Sequence, residues 1–117
     1  MLFRSNADLD HVAAALRPRG HYGLVEISFL ELAEPSIAAG GAACVAAGAT
    51  VVTMLPYFLS PGVHVRDDMA ALRAELAARF PGVTFRLAEP LGRHPLLLEI
   101  VEQRAREAEA FVKAAVD

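Results

Sequence analysis

The chain has 117 residues, 55% of them hydrophobic and 21% charged, a balance that gives one globular domain rather than a disordered segment. A formal net charge of −3 with no basic run supplies no electrostatic footprint for nucleic acid or for an anionic membrane surface. The single cysteine, Cys44, excludes an intrachain disulfide and a thiolate metal cage, and its alanine-rich surroundings suit a small buried hydrophobe. No apolar run approaches the ~20 residues that span a bilayer. Polar Arg4, Ser5 and Asn6 directly behind Phe3 leave no apolar core for a signal peptide, so a soluble cytoplasmic protein is expected.

In chain order, Asn6 is placed to cap a helix reaching about Leu16, with Leu9, Val12, Ala13 and Leu16 on one face. Arg17-Pro18-Arg19-Gly20 stops it. Leu24 to Leu30 reads as a strand. Val25, Ile27 and Phe29 share one face while Glu26 and Ser28 take the other, a pattern that suits a sheet edge. Glu34 and Pro35 open a second helix, with Pro35 in its first turn, and Gly40-Gly41 should weaken it by ~1 kcal/mol per glycine relative to alanine. Gly48 ends that helix, and Thr50 to Leu55 is a short, nearly continuous apolar strand of the buried parallel type.

A loop from Pro56 to Gly62 leads to a third helix from about Val65 to Phe80, with Met69, Leu72, Leu76 and Phe80 on one face. Pro81-Gly82 turns into a strand from Val83 to Leu87. Pro90-Leu91-Gly92 forms a further loop, and a last helix runs from about Leu96 to Val112. Helices alternating with strands through short connections predict an α/β fold, a three-layer sandwich around a parallel sheet. In such folds the site lies at the carboxyl ends of the strands. That rule selects Leu30-Glu31, the loop from Pro56 to His64 and the loop from Glu89 to His94.

Glu31 falls just past an apolar strand end. A carboxylate facing a closed cleft there is suited to taking up protons; a solvated helix cap is the alternative. His64 stands between Gly62 and a helix start, where the positive end of the helix dipole disfavours a second charge, and neutral imidazole is the form a borderline divalent metal binds. A surface cap is its alternative. Together the pair makes a weak, open site that suits a metal to be handed on rather than kept. His94 before Pro95 is either a ligand-facing loop residue or a helix-start residue, and Tyr57 and Phe58 either stack on a flat ligand or fill the core. His11 and His21 read as solvated. No glycine-rich phosphate loop occupies a strand-to-helix turn, and no nucleophile-elbow pattern surrounds Ser5, Ser28, Ser36 or Ser60, which disfavours nucleotide binding and serine hydrolase chemistry.

Three segments carry a resemblance. Phe29-Leu30-Glu31-Leu32-Ala33-Glu34-Pro35-Ser36-Ile37 is the first, and Leu55-Pro56-Tyr57-Phe58-Leu59 with Gly62-Val63-His64-Val65-Arg66-Asp67-Asp68 the second. Pro90-Leu91-Gly92-Arg93-His94-Pro95 is the third. In this order and spacing they resemble the small sirohydrochlorin cobaltochelatase and ferrochelatase family of cobalamin and siroheme synthesis, from about Asn6 to the last helix. The resemblance implies insertion of a divalent metal, cobalt or iron with nickel also admissible, into sirohydrochlorin, a macrocycle with many carboxylate arms. The metal is a substrate, and no organic cofactor is implied. By the match of the Gly-x-His and Phe-Leu-Glu motifs, His64 would coordinate the incoming ion, while Glu31 would help hold it and accept the pyrrole protons. Arg66 and Arg93 are placed by charge and loop position to meet the substrate's carboxylates. A symmetric homodimer is expected, because a flat macrocycle is better enclosed between two lobes and longer relatives carry two in one chain.

The departure from the family is at the start. Its members open with a buried strand ending in a His-Gly-Ser-type motif, whose histidine shares the metal and proton work. Here Met1-Leu2-Phe3 leads almost directly into the first helix, and His11 lies inside that helix and cannot substitute. By the family's sheet order the absent strand belongs between the first and second strands read above. The expectation is therefore a single chelatase domain, N-terminally truncated relative to the family, less stable and less active than a version extended upstream by that strand. A non-catalytic module holding metal or tetrapyrrole is the alternative.

Overall fold

The computed structural model describes residues 6–30 and 33–116. Its elements are α1 (Asn6–Leu16), a 3-10 turn at Arg17–Arg19, α2 (Ile37–Ala46), β1 (Val51–Met54), α3 (Val63–Arg79), β2 (Thr84–Leu87) and α4 (Pro95–Val116). The alternation read from the sequence is thus an α/β fold on a parallel sheet. β1 and β2 pair in parallel with Val51 opposite Thr84 and Met54 opposite Leu87.

Side chains alternate across this ladder. Val52, Met54, Phe85 and Leu87 face α2 and α3, where Ile37, Met54, Leu76 and Phe85 form the core, with Leu72, Phe80 and Val83 packed around them. The helical face expected from Met69, Leu72, Leu76 and Phe80 is the one α3 buries. On the opposite face of the sheet, Val51, Thr53, Thr84 and Arg86 are exposed.

Three local expectations are corrected. The second helix begins at Ile37, not at Pro35, because Ser36 is the N-cap: its hydroxyl accepts from the Ala39 N–H at 3.2 Å. The second correction concerns Leu24 to Leu30, which forms no strand. It makes one isolated parallel bridge, Phe29 to Ser36, closed by the Phe29 N–H on the Pro35 carbonyl at 2.9 Å. The physical reason is the lack of a neighbour: among the described residues no backbone ladder reaches Leu24–Ser28, and a strand exists only as one side of a ladder. Nor is Ser28 on a solvent face, since it is buried with Phe29. Third, Gly40-Gly41 is a packing device rather than a weak point. A Cβ on Gly40 would overlap the Ser28 hydroxyl, and one on Gly41 would come within 2.8 Å of a Leu76 methyl. Glycine lets α2 close on Ser28 on one side and on α3 on the other.

Between Leu24–Ile27 and β1 lies a cleft of about 680 Å³, lined also by Leu9, Val12 and Leu16 of α1 and by Cys44 of α2. Leu9 and Ala13 are buried, whereas Val12 and Leu16 are only half-buried at its wall. At the other end of the chain, α4 leaves the body. Every residue from 98 to 110 is exposed, and the radius of gyration is 17.5 Å against the ~13 Å of a compact domain of about this size. No helix among the described residues is long and apolar enough to cross a membrane.

The Gly40 contact generates a prediction. Gly40→Ala should lower stability by about 1–3 kcal/mol through overpacking, against the ~1 kcal/mol that alanine would add to a free helix. Adding Ser28→Ala should return part of the loss. Urea denaturation midpoints of the parent, the two single variants and the double variant check both statements.

Candidate active site

The carboxyl ends of β1 and β2 feed two loops that the backbone ties together. The ladder continues one step past β2, with the Ala88 N–H donating to the Met54 carbonyl at 2.9 Å, so both chains leave the sheet side by side. From β1 the chain passes through buried Pro56 and half-buried Tyr57 and Phe58 to Gly62, the N-cap of α3. From β2 it passes through Glu89 and Pro90, and there the Leu91 N–H donates to the Phe58 carbonyl at 2.9 Å. Gly92 sits so close to the Leu59 carbonyl that a Cβ would collide with it. The two loops are therefore one surface.

His64 is the second residue of α3 and is exposed. Two residues on, Arg66 reaches across to Glu89, with 3.8 Å between guanidinium and carboxylate. Both side chains are largely in water, so the pair is worth about 0–1 kcal/mol, and a stronger anion can compete for Arg66. Glu89 is a residue the sequence reading passed over as a loop boundary; an acidic residue just past a strand end, facing a helix start that carries arginine, was the available signal. Arg93 is exposed and forms no ion pair among the described residues.

His94 acts at the start of α4: its Nδ1 accepts from the Leu96 N–H at 3.1 Å, and the Leu97 N–H donates to its carbonyl at 3.0 Å. These are the bonds of a residue at a helix start. Glu31 lies outside the described residues. Its neighbour Leu30 packs against the cluster that contains Met54, the last residue of β1. Among the described residues no group of three or more His, Cys, Asp or Glu side chains is placed to hold a metal ion. Cys44 stands apart from this surface, half-buried in the wall of the cleft, where burial and then the Glu26 carboxylate push its thiol up from the ordinary value.

A parallel α/β domain whose strand-end loops carry histidine, arginine and aromatic side chains is the class these features define. The CbiX family model matches residues 3–108, and the chain belongs to that family. It is 36% identical over 113 residues to the sirohydrochlorin ferrochelatase, chloroplastic, of Arabidopsis thaliana, covering 97% of this chain and 50% of that protein. It is 33% identical over 114 residues to the sirohydrochlorin cobaltochelatase of Priestia megaterium, covering 97% of this chain and 37% of that one. The chain thus spans about half the length, or less, of these curated relatives.

Among solved structures, a CbiX protein from Marinobacter aquaeolei VT8 is similar with a TM-score of 0.74 at 28% identity, covering 95% of this chain and 90% of that chain. The sirohydrochlorin chelatase SirB from Bacillus subtilis subspecies spizizenii, in complex with cobalt, gives a TM-score of 0.75 at 30% identity, covering 90% of this chain and 46% of that chain.

The cap geometry carries its own expectation. Because α4 has few contacts beyond its own turns, it depends on its first hydrogen bonds. His94→Ala should weaken its start by about 1 kcal/mol, seen as lost helical signal in far-UV circular dichroism, whereas His94→Asp should keep it.

Proposed function

We propose that this chain is a sirohydrochlorin chelatase lobe, working in the cytoplasm, that inserts a divalent metal into the macrocycle during cobalamin or siroheme synthesis. The observation that carries the reading is the fusion of the two strand-end loops, by the Leu91-to-Phe58 hydrogen bond and the Arg66–Glu89 pair, around the family-matched His64. Membership of the CbiX family supports it, as do relatives named for cobalt and for iron.

The chemistry asked of the residues is modest. His64, exposed at the edge of the fused loops, offers an imidazole nitrogen to a hydrated divalent ion. Insertion replaces both inner pyrrole N–H bonds by metal–nitrogen bonds and releases two protons. Glu31, following Leu30 at the end of the extended run, is the carboxylate assigned to share the ion before transfer and then to take the protons up one at a time, passing each on to water. One imidazole and one carboxylate bind cobalt, iron and nickel alike, so supply rather than affinity selects the metal. Arg66 and Arg93 are assigned to the macrocycle's carboxylate arms. Arg66 exchanges Glu89 for a substrate carboxylate, and Arg93 carries no competing partner among the described residues. Tyr57 and Phe58, half-buried where the loops join, are assigned to stack on a flat ligand, and His94, whose Nδ1 accepts from the Leu96 N–H, keeps its other ring nitrogen for the same ligand.

A non-catalytic module that holds metal or tetrapyrrole is the second reading. It is favoured by the lack, among the described residues, of a third ligating side chain near His64. The two readings separate on one variant series. His64→Ala should abolish cobalt insertion, followed by the absorption spectrum of sirohydrochlorin, while shifting the unfolding midpoint little, because the side chain is exposed. Glu31→Gln should slow insertion more than it weakens tetrapyrrole binding. Parent protein that binds both ligands but never changes the spectrum would establish the binding module instead.

We further propose that two copies form a homodimer. Leu96, Leu98, Ile100 and Val101 of α4 are all exposed, an apolar area that water penalises and that a second copy can cover. A dimer would also supply two lobes to one macrocycle. Light scattering at micromolar concentration should give twice the chain mass, and Val101→Glu should return the monomer; a monomeric parent overturns the assignment.

A further inference from the structure

The backbone fixes the chemistry of one histidine on the fused loops. The Nδ1 of His94 accepts from the Leu96 N–H at 3.1 Å. A ring nitrogen that accepts must keep its lone pair, so the single proton of the neutral imidazole sits on the other nitrogen, Nε2. The cap therefore does more than start α4. It selects one tautomer, with the N–H on the side of the ring away from the helix backbone.

Two roles are closed to that tautomer. An imidazole that coordinates a metal ion through Nε2 carries its proton on Nδ1, and there it would meet the Leu96 N–H, donor against donor. Nor can Nε2 act as a base, because it already holds a proton. What remains is donation. His94 is exposed, so its Nε2–H is open to a ligand, and a carboxylate oxygen is the strongest acceptor a tetrapyrrole of this class offers.

The preceding residue adds a second donor. The His94 N–H donates to the Leu91 carbonyl at 3.0 Å, which closes residues 91–94 into one turn, and the Leu91 N–H fastens that turn to the Phe58 carbonyl at 2.9 Å. Arg93 stands inside the turn, exposed and with no ion pair among the described residues. Guanidinium and imidazole N–H are thus successive side chains of a corner held at one end by Phe58 and at the other by the cap of α4. Held donors lose less freedom when a carboxylate arrives than free ones do.

We propose that His94 is a specificity residue for the macrocycle: as the fixed Nε2–H tautomer it donates to one carboxylate arm beside Arg93, and it takes no part in holding the metal. The inference rests on the proposed chelatase reading for the class of ligand and divides the labour within it. Metal goes to His64 and Glu31, and carboxylates go to the corner at Arg93 and His94.

The tautomer is read first. With isotope-labelled histidine, two-bond proton–nitrogen NMR at neutral pH should place the His94 proton on Nε2, both in the free chain and in the chain saturated with uroporphyrin, a stable polycarboxylate tetrapyrrole. The signal is identified by its loss in His94→Asn. Asparagine keeps an oxygen for the Leu96 N–H but is too short to set a donor where Nε2 lies. His94→Asn should therefore retain the helical circular dichroism of the parent and its affinity for cobalt ion, yet bind uroporphyrin about tenfold more weakly in an absorption titration. A proton on Nδ1 in the free chain, a loss of uroporphyrin affinity below about threefold, a weakened cobalt affinity in His94→Asn, or a parent that binds no uroporphyrin would each overturn the proposal. A parent that binds uroporphyrin in this way but inserts no metal into sirohydrochlorin removes the chelatase reading alone and supports the role of His94.

Discussion

The parallel ladder between β1 and β2 is the constraint on which the rest of the molecule depends. It is only four residues long on each strand. A two-stranded sheet has no independent stability in water, and parallel pairing is slightly the weaker kind. What holds it is the layer on one face: Met54 and Phe85 lock into Ile37 of α2 and Leu76 of α3. The close approach of those helices is set in turn by Gly40 and Gly41, whose missing side chains leave room for Ser28 and Leu76. A small contact thus governs a large one. The ladder exists because α2 and α3 can sit deep enough to bury its face.

From the ladder follows the placement of the candidate site. Two parallel strands deliver their chains to the same end of the sheet, and the register brings Met54 opposite Leu87, so the two exits are adjacent. Adjacent exits allow the loops to hydrogen-bond to each other, and the loops then position the starts of α3 and α4. His64 and His94 are both helix-start residues for this reason. Arg66 and Glu89 meet across the same junction with little energy of their own, which leaves that charge pair open to exchange.

Much of this was legible in the sequence where the pattern is local. The α3 face, the apolar run of β1, the Pro81-Gly82 turn and the position of His64 at a helix start all follow from spacing and turn chemistry within a few residues. What was not legible depended on neighbours far along the chain. Leu24 to Leu30 has a strand's alternation, yet alternation specifies only the faces of a strand. Among the described residues no ladder reaches either edge, and the run pairs only at Phe29. Gly40-Gly41 reads as helix weakness by propensity, because the atoms that need the space, on Ser28 and Leu76, are 12 or more residues away. Pro35 and Ser36 both suit a helix start, and the choice between them was made by the hydroxyl that reaches the Ala39 N–H.

The two halves of the candidate site therefore differ in how firmly the fold supports them. His64, Arg66 and the aromatic pair at Tyr57 and Phe58 stand on the ladder and on α3, whose buried residues Met69 and Leu76 tie them to the core. Glu31 follows a run of different character. Phe29 and Leu30 are anchored, by the bridge to Ser36 and by packing on the core cluster, but Leu24 to Ile27 border the cleft and share no ladder among the described residues. The proposed metal transfer would need the imidazole and the carboxylate each held within a fraction of an ångström of the productive geometry, and a carboxylate is no better placed than the segment that carries it.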